Sequence, residues 1–227
     1  MLSLIKTILE RDPAVRKNIF GVLEIILSVP GFHIMFFFRL AHFLHQIKIP
    51  IFPRFLMNIG KILTGIDIHP GAKIGKNFFI DHGTGVVIGE TAIIGDNCTL
   101  YQGVTLGGTG KEKFRKRHPT LRNNITIGSG AKILGPVILG DHVKVGANSV
   151  VTMDVPDNCT VVGIPGRIAR IRDKKILDDP TDYINLFDPE QNRIQKLKEE
   201  IGKLENEFEE WKKQVQDKSR CEGESLP

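Results

Sequence analysis

The sequence predicts a mainly β protein: a parallel β-helix of hexapeptide repeats, with a helical segment ahead of it and a helix behind. Three observations carry this expectation. Aliphatic residues recur at every sixth position in three blocks: Ile68, Ile74, Ile80 and Val86; Ile88, Ile94, Leu100 and Leu106; and Ile127, Ile133, Leu139, Val145 and Val151. Many are followed by glycine, as in Ile74-Gly75, Ile88-Gly89, Ile94-Gly95, Leu139-Gly140 and Val145-Gly146. A period of six fits neither a lone helix, at about 3.6 residues per turn, nor a lone strand, at about 2. It fits short flat strands that each send one aliphatic side chain into a narrow prism.

Residues 1–65 read as a helical segment. Asp12-Pro13 is a start signal, an N-cap acceptor followed by proline at the first helical position. Pro30-Gly31 separates that helix from a second, which runs to about Gln46. Pro50 and Pro53 introduce a third, ending near Thr64-Gly65 and leading into the prism.

Residues 66–170 form the predicted β-helix domain, with about three hexads to a turn and about four coils. Its repeats end at Gly163-Ile164-Pro165-Gly166. The register breaks twice. Val86 to Ile88 shifts the phase by two, just after Asp81-His82-Gly83-Thr84-Gly85, and Leu106 to Ile127 exceeds one coil by three. The second stretch holds Gly107-Gly108-Thr109-Gly110-Lys111 and Arg117-His118-Pro119, part of which must project as a loop. In the tail, 171–227, Ile194, Leu197, Ile201, Leu204, Phe208, Trp211 and Val215 keep heptad spacing over a helix at about 188–216. That helix either coils with its counterparts or folds back on another apolar surface.

The chain has 227 residues, 41% hydrophobic and 25% charged, enough for one globular unit with a real core. A net charge of +5, dispersed except around Lys111 to Arg117, lacks the basic stripe with interleaved aromatics of a nucleic-acid binder. A local cationic loop suits a small anionic ligand better. Cys98, Cys159 and Cys221 are far apart, without a CxxC, and read as free thiols in a reducing compartment. No secretory signal opens the chain, so a cytoplasmic location is expected. The apolar stretch 19–45 is interrupted by Glu24, His33, Arg39, His42 and His45 and broken at Pro30-Gly31. Spanning a bilayer takes about 20 uninterrupted apolar residues, so buried helices are expected here and no membrane span.

The two register breaks hold the candidate chemistry. His82 carries the side chain whose ordinary pKa, about 6.5, lets it accept a proton near neutrality. Gly83 and Gly85 after it let a substrate approach the backbone. His118 stands in the projecting loop beside Arg117, and arginine grips a carboxylate in two places. His69 is expected at the prism entrance and His142 as an outward-facing wall residue. Either Asp67 or Asp81 is placed to orient an imidazole; with coils of about 18 residues Asp67 falls beneath Gly85, and spacing does not choose between the two.

Asp67-Ile68-His69-Pro70, Asp81-His82-Gly83-Thr84-Gly85-Val86-Val87-Ile88-Gly89-Glu90-Thr91, Gly103-Val104-Thr105-Leu106-Gly107-Gly108-Thr109-Gly110-Lys111 and Arg117-His118-Pro119 resemble the serine O-acetyltransferases, as does Arg11-Asp12-Pro13-Ala14-Val15. The resemblance implies a left-handed parallel β-helix, homotrimers with active sites between neighbouring prisms, and acetyl transfer from acetyl-CoA to the L-serine hydroxyl for cysteine biosynthesis. It implies His82 as general base with Asp67 as its orienting carboxylate. His118 would join both the catalytic set and the serine-binding set of Asp12, Asp81 and Arg117. Gly107, Gly108, Thr109, Ser129, Lys144 and Ala147 match the groove for the co-substrate; no metal is implied. The N-terminal helices are shorter than in many members, which favours a trimer over a hexamer. The chain ends Leu226-Pro227 and not in the isoleucine that docks O-acetylserine sulfhydrylase in relatives, so that docking is not expected.

Three other readings remain at this point. One is an acetyltransferase of the same fold acting on a sugar or antibiotic hydroxyl, against which Arg117 argues. Another is a hexapeptide carbonic anhydrase with zinc on His69, His82 and His118, in which Gly-Gly-Thr-Gly-Lys has no role. The third is a scaffold using the tail helix.

Overall fold

The computed structural model describes residues 2–110, 116–172, 174–175, 201–205, 208 and 212. Contacts divide the chain into two compact units, Met1–Pro180 and Thr181–Pro227. The first unit opens with four helices: α1 (Leu2–Arg11), α2 (Ile19–Ser28), α3 (Pro30–Gln46) and α4 (Phe52–Thr64). Three helices were expected and four are present, α1 being the addition, and the first expected start is displaced. Asp12-Pro13 does not start a helix; it follows α1, and the Asp12 carboxylate accepts from the Ala14 amide at 2.9 Å to hold a turn. The helix starts later, after Asn18, whose side chain accepts from the Gly21 amide at 3.1 Å, an N-cap of the usual chemistry. Pro30 and Pro53 sit in the first turns of α3 and α4, where a missing N–H costs nothing. α4 stops at Gly65, whose φ of 70° is the left-handed cap that glycine adopts without strain.

The chain then winds into a prism. The first coil is β1 (Asp67–Ile68), β2 (Lys73–Ile74) and β3 (Phe79–Ile80), and the second is β4 (Val87–Ile88), β5 (Ile93–Ile94) and β6 (Thr99–Leu100). The third is β7 (Thr105–Gly107), β8 (Thr120–Leu121) and β9 (Thr126–Ile127), and the fourth is β10 (Lys132–Leu134), β11 (Ile138–Leu139) and β12 (Lys144–Val145). A fifth is nearly complete, with β13 (Val150–Val151), a bridge from Leu139 to Val155, and β14 (Cys159–Val162). The coils therefore number close to five, not four, because Leu121 and Val161 also occupy hexad positions.

Strands stack in parallel into three walls. The first runs β1-β4-β7-β10-β13, the second β2-β5-β8-β11, and the third β3-β6-β9-β12-β14. The hexad side chains fill the interior: Ile68, Leu100, Leu106, Ile127, Ile133, Leu139 and Val151 are fully buried. Burying such a side chain is worth about 1.5–3 kcal/mol, and this column is what pins the register. The fold is the left-handed parallel β-helix. At its far end β15 (Arg167–Ile171) turns back antiparallel on β14, and β16 (Lys174–Lys175) pairs with β15.

Coil length explains both register breaks. Ile68 lies under Ile88 and not under Val86, so the first coil is longer than the second, in which Ile88 lies under Leu106. The extra residues are taken up between β3 and β4, where His82, Gly83 and Gly85 all have positive φ and widen the corner. Asp67 consequently lies beneath Val87, not Gly85. The longer insertion leaves between β7 and β8 without disturbing the stack, since Leu121 pairs with Ile94 below and Leu139 above. His142 is likewise a corner residue with a φ of 60°, exposed between β11 and β12, and not a wall residue.

Among the described residues no single helix is long and apolar enough to cross a membrane; α2 and α3 pass only as a pair bent by 66°. Cys98 and Cys159 are free and buried, and burial pushes the Cys98 thiol up to about 11. In the second unit residues 201–205 are helical, with Ile201 and Leu204 exposed. The heptad positions Ile194, Leu197, Trp211 and Val215, and Cys221, lie outside the described residues.

Candidate active site

The candidate residues fall on two different edges of the prism. On the edge between the third and first walls, the widened corner from Asp81 to Gly85 presents His82 outward. Its side chain is 76% exposed, and Nε2 stands 3.9 Å from Asp81 Oδ1. The corner packs on the entry to β1: the Gly85 amide donates to the Gly65 carbonyl at 2.8 Å. Asp67 is two residues beyond Gly65, yet its carboxylate is not turned to His82. Its Oδ2 accepts from Lys61 Nζ at 2.7 Å. Of the two aspartates that spacing left open, Asp81 is the one touching the ring in this structure.

Asp12 approaches the same side of the prism. Its neighbour Arg11 donates to Thr99 Oγ1 at 2.9 Å, and Thr99 is the register partner of Phe79, two residues before Asp81. The edge continues upward as a backbone ladder. Gly103 N–H donates to the Thr84 carbonyl, Gly130 N–H to Gln102, and Asn148 N–H to Ser129, at 2.8–2.9 Å. Ser129 and Ala147 therefore stand above His82 on one edge. Lys144, exposed on the adjoining third wall, lines a cavity of about 490 Å³ with His142, Asn158, Thr160, Arg170 and Arg172. Four of those six side chains carry or can carry positive charge.

On the edge between the first and second walls, a second cluster is closely bonded. His118 is only 8% exposed. Its Nδ1 accepts from the Thr91 amide at 3.1 Å and lies 2.9 Å from the Thr91 hydroxyl. That hydroxyl oxygen also accepts from the Arg117 and His118 amides, both at 3.1 Å. Because a backbone N–H has only a proton to offer, Nδ1 must be the unprotonated nitrogen, and neutral His118 carries its hydrogen on Nε2. Burial holds its pKa below the ordinary value, and the charges of Arg117 and Lys116 add to that effect. The ring is a fixed neutral donor. Gly89 lies against it: a Cβ there would stand 2.1 Å from Nε2, and Gly89 is glycine for space, not for φ.

Arg117 donates through Nη2 to Glu90 Oε2 at 2.7 Å, which aims the guanidinium. His69 is half-buried nearby, its Nδ1 accepting from the Gly71 amide at 3.0 Å, and burial lowers its pKa also. Gly107 ends β7 in register with Leu134, Gly108 lies against Arg117, and Thr109 sits over Gly135 of the next coil. Lys111 and Lys113 lie outside the described residues. The sequence reading gave no role to Glu90 or Thr91; they are 27 residues from their partners, and only the coil stacking joins them. Among the described residues no group of three or more His, Cys, Asp or Glu side chains is placed to hold a metal ion.

A hexad prism with an imidazole at one corner and a cationic, donor-rich loop at another is the frame of an acyltransferase. Residues 118–152 match the family described as bacterial transferase hexapeptide (six repeats). A serine acetyltransferase of Synechococcus elongatus is 51% identical over 204 residues, covering 90% of this chain and 81% of that one. Two solved structures are also similar. Serine acetyltransferase of Brucella abortus in complex with coenzyme A has a TM-score of 0.69 at 42% identity, covering 74% of this chain and 65% of that one. The Neisseria gonorrhoeae serine acetyltransferase in complex with serine has a TM-score of 0.69 at 38% identity, with 74% and 67% covered. The chain belongs to the serine acetyltransferase family.

Proposed function

We propose that this chain transfers the acetyl group of acetyl-CoA to the hydroxyl of L-serine, giving O-acetyl-L-serine and CoA for cysteine synthesis, at sites shared between copies. One observation carries the reading: the base and the anion-binding donors occupy different edges, with the whole first wall between them. A single copy does not assemble both halves. A closed ring of three, each presenting its His118 edge to a neighbour's His82 edge, does.

A primary alcohol is a weak nucleophile at neutral pH. His82 takes the serine hydroxyl proton as the oxygen attacks the thioester carbonyl, a role worth about 10²–10⁴-fold. Asp81 borders the ring, and Asp67 orients it once Lys61 yields the carboxylate. Arg117 grips the serine carboxylate in two places while Asp12 and Asp81 face the ammonium group. The Nε2–H of His118 donates to the oxyanion or to the substrate carboxylate. Collapse of the tetrahedral intermediate expels the CoA thiolate, which takes the proton held by His82.

The groove for acetyl-CoA follows the His82 edge. From the first coil to the fourth is three steps of roughly 4.8 Å, a distance suited to an extended pantetheine arm passing Ser129 and Ala147. Its phosphates then meet Lys144 and the neighbouring cationic cavity, with Gly107, Gly108 and Thr109 of a neighbour's loop closing the other side. In domain terms, 1–65 is the helical segment, 66–170 the catalytic prism and 171–227 the tail. Buried free thiols at Cys98 and Cys159 suit the reducing cytoplasm.

The test is complementation. Purified H82A and R117A proteins are each expected to release almost no thiol from acetyl-CoA and serine. Dissociated and reassembled together, they regain activity, because some sites draw His82 from one copy and Arg117 from another. Mixtures that stay inactive, beside an active wild type, overturn the shared site.

A further inference from the structure

Lys116, in the projecting loop, reaches back to the coil below alongside Arg117 and His118 and, unlike them, does so onto backbone carbonyls. Its ammonium donates to the Thr91 carbonyl at 2.5 Å and to the Pro119 carbonyl at 3.1 Å. Those two carbonyls bracket the site. Thr91 supplies both groups that hold His118 Nδ1, and Pro119 is the residue that follows His118. The Ile93 amide meets the same Pro119 carbonyl at 3.1 Å, so the loop end is tied to the coil below at two points.

We propose that Lys116 is a positioning residue for the acceptor site: by clamping the Thr91 and Pro119 carbonyls together, it holds Arg117 and His118 in place and keeps His118 in the Nε2–H form. The clamp acts through Thr91. If the Thr91 peptide tilts away, the hydroxyl can no longer accept from both amides of Arg117 and His118, and its backbone N–H leaves Nδ1. The imidazole is then free to exchange tautomers, and the Nδ1–H part of its population offers a lone pair where the substrate needs a donor.

The position is costly, which argues against a solvated loop lysine. Burial, with the Lys73 ammonium adding to it, pushes Lys116 down to about 8. A solvated lysine on an open loop loses no hydration and gains no fixed acceptors; this one has exchanged part of its water for two carbonyls. Lys73 and Lys116 also border a cavity of about 360 Å³ with His45, Glu90 and Thr91, so the clamp lies on the face of Thr91 away from the prism interior.

The inference rests on the reading of Arg117 and His118 as the acceptor-binding pair. K116M keeps the length and removes the donor, whereas K116R keeps charge and donors. K116M is expected to lower kcat/KM for serine about tenfold, the scale of one hydrogen bond to a charged group. The KM for acetyl-CoA should change less than twofold, and K116R should recover most of the loss. Ring-labelled histidine read by nuclear magnetic resonance should show a pure Nε2–H His118 in the wild type and a mixture in K116M. K116A, which also removes the donor, replaces K116M should the latter not fold.

Serine kinetics unchanged in K116M overturn the clamp. So does an equal loss for both substrates with the tautomer intact, which marks Lys116 as merely structural. A wild type that fails to acetylate serine overturns the proposed function instead, and the tautomer signal still decides whether Lys116 fixes His118.

Discussion

The two edges of the prism carry the same residue type under opposite conditions. His118 is buried, bonded through Nδ1 to Thr91, and depressed in pKa; His82 has a mostly exposed side chain on a left-handed corner beside a single carboxylate. The difference is one of preparation. An imidazole that must donate one hydrogen bond without ever charging is best fixed in advance. An imidazole that must take up a proton and give it away gains from solvent contact and room to turn. On the proposed function, one half of the site is built by a single chain, and the other is left for substrate and a neighbouring copy to complete.

The comparison can be broken most forcefully at His82. H82A is expected to lower turnover by about 10²–10⁴, with acetyl-CoA affinity little changed; near-normal turnover would remove the ring from the base role. The prepared half is tested by G89A. A Cβ at 2.1 Å from Nε2 must displace the His118 ring, and misplacing a positioned group costs about 10²-fold. Here the loss should appear in kcat/KM for serine, measured at saturating acetyl-CoA. G89A kinetics like those of the wild type would mean that the ring's placement does not matter.

The smallest expected effect is on stability against acid. The folded pKa values of His118 and His69 lie below the ordinary 6.5 because burial disfavours their charged forms. Below pH 6.5 the unfolded chain binds protons that the folded chain resists, so stability is complete above that pH and falls as pH drops toward the folded values. Thermal midpoints measured between pH 7.5 and 5.5 should decline, and H118N should flatten part of that decline. No such flattening would show that His118 is not held neutral.

Much of this was legible in the residues. The six-residue spacing located the walls, and the two phase breaks pointed to the corners that hold His82 and His118. The length of the first coil was not legible, because Val86 and Ile88 are both aliphatic and both buried, so either could have taken the strand position. Asp12-Pro13 misled for a related reason. Aspartate before proline serves a turn as well as a helix start, and Asn18, a better cap, lies six residues on. Thr91 fell within a family motif and Lys116 within the cationic loop, but nothing in the sequence joined them to each other or to His118. Their roles depend on stacking one coil over the next, and a threonine or lysine at such a distance from its partner is indistinguishable from a solvated one.

The reversal after Gly163 has a consequence of its own. A parallel coil ends in strands whose amides and carbonyls invite another such coil to stack on top, the geometry from which fibrils grow. Folding β15 back across β14 occupies that template with the chain's own backbone, while α4 enters at the opposite end. The tube is thereby given a finite length, which leaves its sides and not its ends for the contacts between copies that the proposed shared site requires.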